Sequence, residues 1–149
     1  MNNRISLLIT AALLTLAQAS YAAEKHINFD DASGSTGSSL NTISNGYNDL
    51  TWKNFIYTNP FAINYYFYNS GAATGVVSLN FVASNGSGQP ASFESSSPFN
   101  LNSACFTAAF NDGLHVTVEG ISNDIITHTQ SFDVTTTTRR FKTFNWNGI

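Results

Sequence analysis

The chain has 149 residues, 42% hydrophobic and only 10% charged, with 12 Phe, 6 Tyr and 2 Trp. That length suits one domain with a core of its own, and so many aromatics at a net charge of −3 exclude an intrinsically disordered chain. The acidic balance also argues against a nucleic-acid binder, which needs a basic surface to meet phosphate.

Residues 1–22 read as an export signal, not as part of the fold. Arg4 supplies the positive start, Ile5 to Leu16 is a short apolar run, and Ser20-Tyr21-Ala22 offers small residues where a signal peptidase cuts. Cleavage there leaves 127 residues starting at Ala23, and Ala17-Gln18-Ala19 is a second possible cut. No later stretch approaches the ~20 apolar residues of a membrane span. No Cys stands directly after the signal to carry a lipid anchor, so the product is expected to be secreted, either periplasmic or extracellular, without a transmembrane anchor.

Beyond the signal, the chain predicts an all-β antiparallel sandwich. Turn clusters recur at Ser33-Gly34-Ser35, Asn45-Gly46, Ser70-Gly71, Asn85-Gly86-Ser87-Gly88, Asn111-Asp112-Gly113 and Ser122-Asn123-Asp124, with short strands between them. Ile27-Asn28-Phe29 reads as a first strand ending in Asp30-Asp31, followed by a Ser/Gly-rich loop to about Asn45. Leu50 to Tyr57 gives a strand with aromatic weight, in which Trp52 is expected in the core. Asn64 to Asn69, the densest aromatic run, reads as extended, and Val76 to Ala83 places Val77, Leu79, Phe81 and Ala83 on one face. Ala104, Phe106 and Ala108 alternate with Cys105, Thr107 and Ala109 before the Asn-Asp-Gly turn, and Leu114, Val116 and Val118 alternate after it, which predicts a hairpin. Residues 125–134 form the next strand, with Ile126, His128, Gln130, Phe132 and Val134 on one face, and Arg140 to Trp146 forms the last. Cys105, with no partner for a disulfide, is expected to be a small buried hydrophobe.

Three constellations could carry chemistry. Asp30 and Asp31 could nucleate a site for Ca²⁺, which takes six to eight oxygens, or could be an ordinary solvated turn. The aromatic run offers Tyr65, Tyr66 and Tyr68, whose rings could stack on sugars if displayed, or fill the core if not. In a strand, alternate members face opposite ways, so one set would be displayed. Arg139, Arg140 and Lys142 form a basic cluster that could meet anionic glycans or lipid head groups, or guard a strand edge against aggregation. His26, His115 and His128 lack metal-ligand spacing and an evident carboxylate partner, no Gly-x-Ser-x-Gly elbow is present, and no glycosidase carboxylate pair can be placed. The expectation is therefore a protein that is not an enzyme.

Several stretches occur in a familiar order. Phe29-Asp30-Asp31, then Asn45 to Phe55 (NGYNDLTWKNF), Gly88-Gln89-Pro90-Ala91-Ser92, Phe99 to Ala104 (FNLNSA) and Ala108 to Gly120 (AAFNDGLHVTVEG) resemble a poorly characterised family of small secreted β-sandwich proteins. The resemblance covers nearly the whole mature chain. It implies a jelly-roll sandwich like those of carbohydrate-binding modules, often with a structural Ca²⁺ between the chain ends, and Asp30 and Asp31 match the N-terminal acidic ligands. Family members usually continue past Asn145-Trp146-Asn147-Gly148 into another strand carrying a further Asp, so a missing final strand is expected here. The resulting expectation is an exported glycan-binding protein, with Tyr65, Tyr66, Tyr68 and Asn111 as ligand-binding residues. Asn111 enters because its loop presents amide and carboxylate groups at one end of the sandwich. A protein-interaction or virulence-associated factor that meets a cell-surface protein is the alternative, and a small hydrolase comes third.

Overall fold

A computed structural model of the chain describes residues 24–32, 40–63, 65–86 and 88–149, with backbone only for residues 63, 65 and 66. The expected export signal lies outside the described residues. The protein is mostly β, and every strand pairing is antiparallel.

Strands β1 (Asn41–Thr42), β3 (Phe55–Thr58) and β4 (Val82–Asn85) form one sheet in the order β1-β3-β4, and β2 (Thr51–Lys53) pairs with β5 (Ser92–Glu94). One residue separates β2 from β3. Asn54 sits there at φ 58, in the left-handed region that Asn tolerates, and its side-chain amide donates to the Pro90 carbonyl at 2.7 Å. That kink sends the chain from one sheet into the other. Between these sheets lie buried Ile43, Trp52 and Tyr57, with Phe29, Tyr47, Phe55, Phe81 and Phe93 against them. Trp52 is the hub: its ring lies 5.8 Å from Phe29, 5.4 Å from Phe55 and 5.3 Å from Phe93, and its indole N–H donates to the Tyr47 carbonyl. The indole thus gains apolar burial without losing its polar partner.

The second half is a two-by-two arrangement. Strand β6 (Leu101–Phe106) pairs with β9 (Arg140–Trp146), and β7 (Leu114–Ser122) pairs with β8 (Ile125–Val134). Asn123 (φ 51) and Asp124 (φ 62) make the two-residue left-handed turn that joins β7 to β8, as their residue types favour. The inner faces meet over Phe132, Val134, Phe144 and Trp146, with Ala108 at 0% exposure beneath them. Strands 125–134 and 140–146 thus take the expected bounds, and Ala104 and Phe106 face the core as the alternation requires.

Several local expectations give way to tertiary geometry. Phe29 sits in a turn at φ 66, where its carbonyl accepts from Ala32 N–H, so Ile27 to Phe29 is not a strand, and Asp30 and Asp31 sit in a turn instead of at a strand end. The strands flanking Asn111-Asp112-Gly113 do not pair with each other. Ala108 N–H donates to Thr135 and Gly113 N–H to Val134, so this connection crosses from one sheet to the other. Val76 to Phe81 is irregular, with Leu79 at 78% exposure, and only Val82 to Asn85 is extended. Cys105 is exposed, because Ala104 and Phe106 take the inward positions on either side of it. His115 does have a carboxylate partner, Asp133 across the β7–β8 ladder at 2.8 Å.

The aromatic run is helical. Asn59 accepts from Phe61 N–H, Pro60 takes the first helical position, and short helices α1 (Pro60–Ile63), α2 (Tyr65–Tyr68) and α3 (Gly71–Gly75) follow. Ser70 joins the last two: its hydroxyl donates to Phe67 carbonyl and accepts from Ala72 N–H.

Candidate functional site

The helical segment is fixed to the sandwich at one end of the β6–β9 and β7–β8 layers. Gly71 N–H donates to the Ala109 carbonyl at 2.8 Å, and a Cβ at Gly71 would lie 1.8 Å from the Ala108 oxygen, so only glycine permits the approach. The Phe67 ring meets Phe110 edge-on at 5.4 Å. On the outer side, Tyr68 (55% exposed) meets Phe61 (44% exposed) at 5.7 Å. Asn111 is exposed next to Phe110.

The loop carrying Asn111 is held rigidly from behind. Asp112 accepts two hydrogen bonds from Thr136, from its backbone N–H at 2.6 Å and its hydroxyl at 2.8 Å. These bonds, the backbone one first, hold the Asp112 carboxyl below its ordinary range. The contact of Phe67 with Phe110 therefore brings two expected ligand-binding residues, Tyr68 and Asn111, to one end of the molecule. The helix removes the period-2 argument that would have divided the tyrosines between two faces, because that argument applies to strands alone. Tyr65 and Tyr66 belong to α2, and their side chains lie outside the described residues. Phe61 and Phe110 complete the exposed aromatic surface. Neither stood out in sequence, although Phe110 adjoins Asn111.

The aspartate pair diverges. Asp30 accepts from the Ser78 hydroxyl at 2.6 Å through Oδ2, whereas its Oδ1 is buried without a hydrogen-bond partner. Asp31 accepts from the Tyr47 hydroxyl at 2.6 Å. Burial, reinforced by that carboxylate, pushes the Tyr47 phenol up to about 12. The Tyr47 ring also borders a cleft of about 180 Å³, whose other lining residues are Ala32, Ile43, Ser44 and Tyr57. Among the described residues, no three His, Cys, Asp or Glu side chains gather as a metal site. The fit to a cation therefore rests on the single orphaned oxygen of Asp30, the kind of buried acceptor a hard cation satisfies.

No helix among the described residues is long and apolar enough to cross a membrane. In comparisons with known proteins, no family model, curated protein or solved structure matches the chain. The architecture is thus an all-β antiparallel, sandwich-like fold with one exposed aromatic end.

Proposed function

We propose that this is an exported, non-catalytic binding protein that recognises glycans on a host or environmental surface. The observation that carries this reading is the joining of α2 to the Asn111 loop. It leaves Tyr68 more than half exposed in the helix that touches the loop of the exposed Asn111, on a support fixed by Gly71 and Asp112. Exposed aromatic faces take the apolar side of a sugar ring, and amides bond its hydroxyls. Asp112, a carboxylate in the same loop as Asn111, is engaged by Thr136, which supports a binding role over an acid–base one. A structural Ca²⁺ at Asp30 belongs to the same proposal, supported by the orphaned Oδ1. Asp31 enters it only if its Tyr47 bond yields.

Binding to a broad glycan array with Ca²⁺ present is the test. Saturable binding lost on Tyr68→Ala or Asn111→Ala supports the reading, and a blank array on folded protein overturns it. Ca²⁺ is expected to raise the melting temperature of the native protein but not of Asp30→Asn. Equal melting in chelator and in excess Ca²⁺ removes the metal.

A second reading, a secreted factor that docks on a cell-surface protein, is favoured by the tip of the β7–β8 hairpin. There Ile121 and Ile126 are partners across the ladder and are both 53% exposed, an apolar pair of the kind that marks protein contacts. Loss of surface binding on Ile126→Ser, with Tyr68→Ala silent, would select it.

A further inference from the structure

The basic cluster near the end of the chain divides into one committed cation and two gathered ones. Arg139 donates to the Val76 carbonyl at 2.9 Å, tying the loop before β9 to the segment after α3. Arg140 and Lys142 stand two residues apart on β9, on the face that carries Phe144 and Trp146 into the core. Both reach the same ring: the Arg140 guanidinium carbon is 5.5 Å, and the Lys142 ammonium 4.9 Å, from the centre of Phe132. The two charges therefore lie within roughly 10 Å of each other, about one Debye length at moderate salt, so each feels the other.

Among the described residues, no carboxylate forms an ion pair with them. The ion pairs among the described residues are Lys25 with Asp49 and His115 with Asp133. Arg140 donates to the Asp133 backbone carbonyl, which leaves most of its N–H donors uncommitted, and among the described residues the Lys142 ammonium meets the Phe132 ring and no hydrogen-bond acceptor. The ring face orients both heads and neutralises neither. In an acidic protein this is an uncompensated positive spot with a fixed geometry.

We propose that Arg140 and Lys142 form a binding site for the oxyanion, sulfate or carboxylate, of an acidic glycan. This rests on the glycan reading above and narrows it to acidic glycans. The placement supports a single ligand for both regions. Thr136 bonds Asp112 in the Asn111 loop, and Arg140 follows Thr136 by four residues, a Cα separation of at most about 14 Å. One oligosaccharide could set a ring on Tyr68 and an acid group between the two cations. Planar guanidinium and mobile ammonium donors together suit either oxyanion.

The test compares heparin (sulfated), polygalacturonate (carboxylated) and dextran (neutral) as immobilised probes for the full chain, Arg140→Gln/Lys142→Gln, and a control, Lys25→Gln/Lys53→Gln, that removes the same charge elsewhere. The gathered pair should lose at least about tenfold in affinity for an acidic probe, as expected for two charge-assisted contacts, with a flatter salt dependence. The control should stay within about twofold, and thermal melts verify folding. Arg140→Gln alone, at an exposed position, gives the same reading if the double variant unfolds.

Equal losses in the two double variants, or no retention of the native chain by either acidic probe, overturns the inference. Neutral-glycan binding that depends on Tyr68 and survives in the Gln variants leaves the glycan reading standing while the anion site is judged by the acidic probes. Acidic binding that depends on Arg140 and Lys142 but ignores Tyr68 supports the anion site and overturns the placement of the sugar ring.

Discussion

Replacing Gly71 with alanine sets local propensity directly against tertiary packing. Gly71 is the first residue of α3, after the Ser70 cap, where alanine's lower backbone entropy alone would favour the helix by up to about 1 kcal/mol. The added methyl would lie 1.8 Å from the Ala108 oxygen and 2.8 Å from the Thr136 Cα, both of them backbone atoms that no rotamer change can move aside. Ordinary contact demands a retreat of about 1.5 Å by the helix or the loop, in an interior packed too densely to absorb it. Overpacking of that kind costs about 1–3 kcal/mol, and stretching the bond from Gly71 N–H to the Ala109 carbonyl costs about 1 more. The expected net loss is about 1–3 kcal/mol, a fall in melting temperature of roughly 3–12 °C for a chain of this size. Circular-dichroism melts and urea titration of the two proteins measure it. The retreat also parts α2 from the Asn111 loop, so glycan binding should fall along with stability. An alanine variant that melts at or above the native protein would refute the reasoning, since propensity would then have outweighed the close approach.

Trp52→Ala is expected to cost about 3–5 kcal/mol, read from urea midpoints, because it empties the centre of a buried aromatic cluster and leaves the Tyr47 carbonyl without its indole donor. The Tyr47 phenol, pushed up to about 12, stays protonated while an unfolded tyrosine ionises near 10, so its contribution to stability is complete below pH 10 and is lost as the pH rises from about 10 to 12. Tyr47→Phe should flatten the alkaline limb of the stability profile in that window, and an unchanged limb would contradict the burial of the phenol and its Asp31 contact. Asp112 has the opposite sign. Its lowered value stabilises the fold above the ordinary carboxylate range and is lost as acid protonates it, so its carboxyl resonance should titrate below that of a free aspartate. Cys105, exposed in the native state, should react stoichiometrically with a thiol reagent in the absence of denaturant; labelling that requires unfolding would return it to the core.

Where the sequence alone sufficed, the signal was local. Alternation along 125–134 and 140–146 and the Asn123-Asp124 turn follow from residue period and from the φ preferences of Asn and Asp, which operate wherever the chain lies. Trp52 was legible as core for the same reason, lying between apolar strand positions. The aromatic run was not. Six consecutive residues, four of them aromatic, fit a strand or a buried helix equally well, and the Asn59-Pro60 start before them and the Ser70 cap of the next helix after them decided for helix. The Asn-Asp-Gly segment has hairpin chemistry, yet Ala108 and Gly113 bond to the end of β8 and beyond, and that choice of partner is a long-range contact no local pattern records. Tertiary structure likewise separated Asp30 from Asp31, sending one to Ser78 and the other to Tyr47, and gathered Arg140 and Lys142 on Phe132 while committing Arg139 elsewhere. Fold class was thus written in periodicity, whereas the site depends on which backbone groups found each other across the sandwich, because hydrogen-bond partners distant in sequence are chosen by packing alone.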